Sequence, residues 1–563
     1  MFLTYIIVNL LIINFKYVKS DSDFDSIDLL ENERVYDSAS IETIDEQVYS
    51  NGTWLCGKCT DLNENKIKYN ESYDIEINDD NAEVQIARPT TMFRSIHCVV
   101  NSARNGSRHY TGSGSLEIKY QRVADYYAGK SVFVTGATGF VGKVFIERLL
   151  SNCKDIENVF VLIRPKHGAD TGKRLQKIFD VPLFDKLKQT RPGDLKKVIP
   201  IEGDITTSQL GLTPDDKETL ADKVSVVFHS AATVRFIDKF QDMMNINVEG
   251  TQRVIDLSKE IRNLEKFVYI STAFSNSHIQ VVEEKLYTPK KELSAVRQMI
   301  RDHGTDDTKV NEYVADVPNT YTLSKGLCEE LVRQNKEYLP TIIVRPSIVT
   351  PMYHEPLPGW VDSWVAATAV FSNLSKGLNP YIYSTEDVVC DLIPVDYVAN
   401  LIIIAGAKGA ITDDISVYNI CSSSDNPITW KGGSELYLEQ SKRLGYSNKN
   451  MREMKLSKSI FVVTTMTFIL QTVPCFFADV RLVLRGKKPR HLKEGSRSSV
   501  LRDILRPFTT TSWLMKSKNT QALISTLDDH DKKLFPCDVN NIDWKEYTAI
   551  FCRGVREFLL KGK

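Results

Sequence analysis

The stretch Lys130-Ser131-Val132-Phe133-Val134-Thr135-Gly136-Ala137-Thr138-Gly139-Phe140-Val141-Gly142 is a short apolar strand running into three glycines spaced three apart, and an amphipathic helix follows over 143–150. A strand that turns straight into a helix leaves unpaired backbone N–H groups and a partial positive charge at the helix start, which suits a phosphate. Gly136 permits the tight turn, Gly139 lets the backbone approach a pyrophosphate, and Gly142 lets helix and strand pack closely. Thr135, Thr138, Phe140 and Val141 complete this cofactor-binding turn. The reading is an α/β chain with a Rossmann-type, doubly wound parallel sheet beginning near residue 129.

Outward from the turn, strand and helix patterns alternate. The next apolar run, 159–163, ends in Arg164-Pro165-Lys166, where an NAD-specific site would carry a carboxylate for the ribose hydroxyl. Arg164 and Lys166 instead favour the 2'-phosphate of NADPH. Later strands end in Gly203-Asp204-Ile205, His229-Ser230-Ala231-Ala232 and Ser271-Thr272-Ala273. Such ends line up along one edge of a parallel sheet, where ligands bind. Asp204, Ile205, Ser230, Ala231 and Ala232 are therefore assigned to the cofactor.

The second chemical signal is Tyr321-Thr322-Leu323-Ser324-Lys325, with Tyr and Lys four apart in a helical segment and so on one face. A phenol is a poor acid at neutral pH, and a neighbouring ammonium favours its phenolate. Thr272, or Ser271 beside it, can share a hydrogen bond to a carbonyl oxygen. The catalytic candidates are Tyr321, Lys325, Thr272 and Ser271; no metal site is assigned.

With these residues in place the chain resembles the fatty acyl-CoA reductases, a membrane-associated branch of the extended short-chain dehydrogenase/reductase group, over roughly residues 129–560. Beyond the glycine turn the resemblance rests on His229-Ser230-Ala231-Ala232-Thr233-Val234-Arg235-Phe236, Asn247-Val248-Glu249-Gly250-Thr251, Val344-Arg345-Pro346-Ser347-Ile348-Val349, Asn426-Pro427-Ile428-Thr429-Trp430 and Ile542-Asp543-Trp544-Lys545-Glu546-Tyr547. It adds Asn247, Pro346 and Ile348 to the cofactor residues and gives Lys325 a second role on the ribose. It implies reduction of a long-chain acyl-CoA thioester to a primary alcohol, with NADPH consumed and CoA released. Ser363 departs from the family pattern, standing where an amide residue is usual. The 48 residues between Thr272 and Tyr321 are read as a substrate or CoA lid, or as a solvated insertion.

The whole chain has 563 residues, 42% hydrophobic and 25% charged, which suits several folded domains and excludes a fibrous or wholly disordered protein. With 71 basic against 72 acidic side chains, no global field points to nucleic acid. Residues 1–20 read as a signal peptide or signal anchor, and 21–47, with ten acidic residues against one basic, as a disordered acidic segment. Residues 48–122, with Cys56, Cys59, Cys98 and sequons at Asn51, Asn70 and Asn105, read as a small β-rich secreted-type module with a disulfide to Cys98. The other seven cysteines have the scattered spacing of reduced thiols.

The reductase domain is expected over 129–430 and a mainly helical, membrane-associating region over 431–563. Residues 459–478 carry no formal charge and are flanked by Lys458 before and seven basic residues over 481–497. Basic residues on both sides favour one anionic leaflet, so the segment spans, re-enters or is buried. The expected partners are a long-chain acyl-CoA and a membrane surface, at the endoplasmic reticulum or peroxisome with the reductase facing the cytosol. The signal-like start conflicts with that placement, and removal of residues 1 to about 125 is expected to leave activity intact. Two rival readings are another extended short-chain reductase, acting on a sterol or sugar-nucleotide carbonyl, and a secreted binding protein that uses the N-terminal module.

Overall fold

The computed structural model describes residues 120–165, 170–236, 238–364, 366–446 and 452–560, together with five short strands between 48 and 97. Seven strands form the central sheet: β1 (Ser131–Thr135), β2 (Asn158–Ile163), β3 (Val198–Glu202), β4 (Val224–His229), β5 (Lys266–Ile270), β6 (Thr341–Pro346) and β7 (Ser416–Ile420). Their spatial order is β3-β2-β1-β4-β5-β6-β7, all parallel. Connections leave β1 toward β2 and return to β4 on its other side, so the strand order reverses there and a crevice opens at the strands' C-terminal ends.

Both faces of the sheet are covered, which is why the strands read as continuous apolar runs rather than alternating ones. Successive side chains point to opposite faces: Val132 and Val134 enter one core, Phe133 the other, and Val268 and Ile270 separate from Phe267 and Tyr269 in the same way. On the first face lie helices α1 (Phe140–Asn152) and α4 (Val395–Lys408); on the second, α2 (Gly250–Lys259) and α3 (Thr320–Gln334). Helix α1 starts at Phe140 rather than at 143, because Gly139 occupies its N-cap without a side-chain cap and leaves no polar marker in the sequence.

The C-terminal region is helical and packs onto the first face. Its main elements are α5 (Trp430–Arg443), α6 (Ile460–Val483), α7 (His491–Ile504) and α8 (Trp544–Gly554). Tyr547 of α8 is buried and donates to the carbonyl of Pro351 at 2.7 Å. Buried Glu284 accepts from the backbone N–H of Asn419 at 2.9 Å and of Thr520 at 3.0 Å, tying the insertion before Tyr321 to both β7 and the C-terminal region. That insertion is a packed part of the body. Val281–Val282 pairs with Leu514–Met515, and helices at Leu293–His303 and Asp307–Val314 bury Leu293, Val296 and Val310 in the second core.

One boundary needs correction. Residues 120–127 belong to the reductase body: Tyr120 OH and Val123 N both donate to Asp531 at 2.8 Å, Tyr127 OH donates to Ile403 O at 2.7 Å, and Val123 and Tyr127 are fully buried. A cut at residue 125 would therefore open the core. Upstream, Val48–Ser50 pairs antiparallel with Thr53–Leu55, and Ile75–Asn78, Glu83–Ile86 and Ile96–His97 form a three-stranded antiparallel sheet. The signal-like run, the acidic segment, Cys56, Cys59, Cys98 and the three sequon asparagines lie outside the described residues. The seven cysteines within them are free thiols.

Candidate active site

At Gly136 the backbone has φ +84°, and a Cβ would stand 2.9 Å from the nitrogen of Ala231; at Gly142 it would stand 2.2 Å from the carbonyl oxygen of Gly136. The first position requires glycine for its conformation, the second because helix α1 rests directly on the turn. Thr135 at the end of β1 is joined to His229 at the end of β4, Oγ1 to Nδ1 at 2.7 Å, and His229 Nε2 reaches Thr251 Oγ1 at 2.9 Å. Thr251 gives its hydroxyl proton to Asn247 O at 2.6 Å, so it accepts from Nε2–H, and His229 Nδ1 accepts from Thr135. Complete burial, reinforced by the charge of Lys325, pushes His229 down to about 3, so the ring is neutral and the two strand ends are locked by uncharged hydrogen bonds.

Helix α3 carries the second group. Asn319 caps it by accepting from Thr322 N at 2.8 Å, which sets Tyr321 in the first turn and Lys325 one turn later. Lys325 Nζ donates to Ile270 O at 2.8 Å, is 3.4 Å from Tyr269 OH and stands 5.0 Å from the Tyr269 ring centre, at the end of β5. The two residues that follow β5 diverge. Thr272 is on the wall of a cavity with Tyr321, whereas Ser271 Oγ donates to Glu329 at 2.6 Å and takes no part in that wall. Of the hydroxyl pair proposed from sequence, the geometry brings Thr272 to Tyr321 and turns Ser271 away.

The cavity is mainly apolar and opens to solvent. Phe140 and Val141 at the start of α1 form one wall, Thr272 and Tyr321 another, and Trp430, Leu505 and Phe508 close it from the C-terminal region. Phe236 meets the Tyr321 ring edge-on at 5.7 Å and touches Phe508 at 5.9 Å. Ser363 contributes a buried hydroxyl with no partner among the described residues. Phe236, Trp430, Leu505, Phe508 and Ser363 had no assigned role from sequence, although Phe236 and Trp430 lie in family-like blocks and Ser363 was singled out as a departure. Ile348 also lines the cavity, while Pro346 accepts from Ala273 N at 3.0 Å.

At the other end of the crevice, Arg164 pairs with Asp204 at 3.3 Å, and Asp204 accepts from Thr206 N and Oγ1 at 2.9 and 2.8 Å. Ile205 packs beside Gly250. Lys166 lies outside the described residues. Asn247 sits in a widened turn, Met244–Glu249, and spends its amide within the protein: Oδ1 accepts from Thr233 N at 2.8 Å, and Nδ2 donates to Thr233 O at 3.1 Å and Ser324 Oγ at 2.9 Å. It clamps the loop after β4 to the helix of Tyr321. Ser230 differs: its buried hydroxyl, beside the glycine turn, has no partner among the described residues.

Two family profiles, an NAD-binding one and a Sterile one, both described as male sterility protein, match residues 134–402 and 470–562. Fatty acyl-CoA reductase 1 of Xenopus laevis is 34% identical over 450 residues, covering 78% of this chain and 86% of that protein. Fatty acyl-CoA reductase 1 of Homo sapiens is 33% identical over 446 residues with the same coverage, and fatty acyl-CoA reductase 2 of Homo sapiens is 32% identical. Among solved structures, the reductase domain of a nonribosomal peptide synthetase from Mycobacterium tuberculosis has a TM-score of 0.53 at 20% identity, covering 76% of this chain and 92% of that one. The terminal R domain from the myxalamid pathway has a TM-score of 0.53 at 18% identity, covering 76% and 91%. These two likenesses concern the fold.

Proposed function

The chain belongs to the fatty acyl-CoA reductase family, which makes it an oxidoreductase with a nicotinamide cofactor and a fatty acyl-CoA substrate, and we propose that it uses NADPH to reduce a long-chain thioester to the primary alcohol at a membrane surface. The observation that carries this reading is the cavity: one apolar chamber has Tyr321 and Thr272 on one wall and the first turn of the phosphate-binding helix on another.

The residues fit a dinucleotide. The glycine turn exposes the start of α1, and Ser230 holds a buried hydroxyl with unused hydrogen-bonding capacity beside it. When bound, the cofactor supplies hydride to the carbonyl carbon. Thr272 and Tyr321 then hold the carbonyl oxygen as it gains negative charge, and Tyr321 gives it a proton. Lys325, one helical turn from Tyr321 and fixed by Ile270 O, stabilises the phenolate left behind. Collapse of the tetrahedral adduct breaks the carbon–sulfur bond and passes the hydroxyl proton to the leaving thiolate, giving aldehyde and CoA thiol. Tyr321 regains a proton from water, and a second hydride, from a second molecule of cofactor, with a proton again from Tyr321, takes the aldehyde to alcohol. The aromatic and aliphatic lining excludes water and accommodates the acyl chain next to the reacting carbon.

Arg164, with Lys166, supports the choice of NADPH, since no carboxylate directly follows β2 and Asp204 is neutralised by Arg164. The test is turnover of palmitoyl-CoA by the full chain in membranes, with NADPH and NADH compared and aldehyde resolved from alcohol. Alcohol formed with NADPH, and a preference over NADH that falls at least about tenfold in Arg164→Ala, is the expected result. Equal use of both cofactors would overturn the assignment of NADPH, and aldehyde as sole product that of alcohol.

A further inference from the structure

Helix α6, 24 residues long, measures about 36 Å and could by length cross a bilayer. Its two ends decide otherwise. Just before it, Lys455–Leu456 pairs with Tyr381–Ile382, and Ser457 N donates to Ile382 O at 3.1 Å. Near its end, Asp479 accepts from the backbone N–H groups of Arg490, His491 and Leu492 at 2.8–2.9 Å, which turns the chain that follows α6 back into α7. Helix α7 then returns along α6, with Gln471 Nε2 donating to Gly495 O at 2.8 Å and Arg502 to Thr467 Oγ1 at 2.6 Å. Halfway along α6, Gln471 Oε1 accepts from Asn379 N at 2.6 Å. The chain on both sides of α6 therefore belongs to one folded body, whose last helix, α8, is buried against the reductase core.

The inner stripe of α6 is Val463, Thr467, Gln471 and Asp479, at intervals of four, four and eight residues, with half-buried Cys475 between the last two. The outer side is apolar and uncovered. Of fourteen large apolar side chains exposed among the described residues, eight lie between Ile460 and Leu484, with Phe461 77%, Phe477 64% and Leu484 82% exposed. Around this patch stand Lys458, Arg481, Arg485, Lys487, Lys488 and Arg490, all exposed. A second copy seated on the patch would bring the same cations against themselves, whereas an anionic leaflet offers acyl chains to the apolar face and phosphates to the rim.

Deepening the membrane reading above, we propose that α6 does not span but lies in the plane of a single anionic leaflet, its Phe461–Phe477 side sunk among the acyl chains and both its flanks on one side of the membrane. Helix α7 ends at Ile504, and the next residue, Leu505, lines the cavity, as does Phe508. The lipid-facing helix pair thus adjoins the cavity wall, and the acyl chain of the substrate reaches Tyr321 from the bilayer rather than through water.

The test uses the full chain in sealed vesicles of phosphatidylcholine and phosphatidylserine, with Lys458→Cys and Lys487→Cys read by a membrane-impermeant maleimide. A fluorophore on Phe461→Cys or Phe477→Cys is read for quenching by brominated acyl chains, and the parent chain controls for its native thiols. The expected result is the same sidedness at 458 and 487, whether or not detergent is needed, with at least about twofold quenching at 461 and 477. Opposite sidedness with quenching would overturn the in-plane placement and leave the membrane reading standing. Absence of quenching would overturn both. Because these side chains are exposed, turnover by the parent-like variants reports that the fold is intact.

Discussion

Glu329 and Arg345 form an ion pair with side chains 1% and 0% exposed, directly behind the reactive strand end. The Glu329 carboxylate accepts five hydrogen bonds: from Arg345 Nε and Nη2 at 3.0 Å each, Ser271 Oγ at 2.6 Å, Ser275 Oγ at 2.9 Å and Asn276 Nδ2 at 3.2 Å. Glu329→Gln keeps the shape but removes the charge and presents an NH2 where a donor already points. The guanidinium keeps the carbonyls of Glu283 and Lys285 at 3.1 and 2.7 Å and its place over the Tyr287 ring at 5.8 Å, but loses the buried carboxylate charge that faces it. Removing one member of such a pair costs about 3–5 kcal/mol. In a body spanning residues 120–560, with an unfolding entropy of about 0.9 kcal/mol/K, that lowers Tm by roughly 3–5 °C. Scanning calorimetry of the parent, Glu329→Gln, Arg345→Met and the double variant measures it. The double variant should recover part of the loss, because neither buried charge remains. A Glu329→Gln protein within about 2 °C of the parent, or a double variant whose loss equals the sum of the singles, would refute the reasoning.

Two further outcomes follow from the same geometry. Removing residues 1–119 should leave turnover within about twofold of the parent, whereas removing 1–127 deletes the buried Val123 and Tyr127 and should cost several kcal/mol, about 3 or more, seen as a fall in Tm. Burial holds Lys266, which donates to Ala407 O and Gly409 O at 3.0 and 2.9 Å, down to about 7 from an ordinary 10.5. Between those values the unfolded chain binds a proton that the folded chain does not, so this group raises stability as pH rises and withdraws it as pH falls toward 7. Urea unfolding at pH 7.5 and 9.5 should show Lys266→Met losing up to about 2–3 kcal/mol of that rise relative to the parent; identical slopes would contradict it.

The glycine turn and the Tyr321–Lys325 face were legible because each depends on neighbours within a few residues: a strand, a turn at positive φ, one turn of helix. What was not legible depends on residues far apart in the chain. Ser271 and Thr272 are adjacent and chemically alike, yet a strand's alternation sends one to Glu329 on α3 and the other to the cavity, and only the position of α3 decides which. The start of the body at Tyr120 was missed because its partner, Asp531, lies over 400 residues away. Phe508 and Trp430 enter the site by folding the C-terminal region back on the sheet, and no local pattern marks them. Residues 459–478 show an apolar composition, but whether the helix spans depends on the bonds its flanks make with Ile382 and Gln471 with Asn379, which composition does not contain.

The central claim is that Tyr321 protonates the carbonyl oxygen in a cavity shared with the cofactor turn. The most direct measurement is turnover of palmitoyl-CoA with NADPH by Tyr321→Phe, alongside its Tm and cofactor affinity. Removing the hydroxyl leaves the ring against Phe236, so stability and cofactor binding should match the parent while kcat falls about 10²–10⁴-fold. A variant with intact fold and turnover within about threefold of the parent would contradict the assignment.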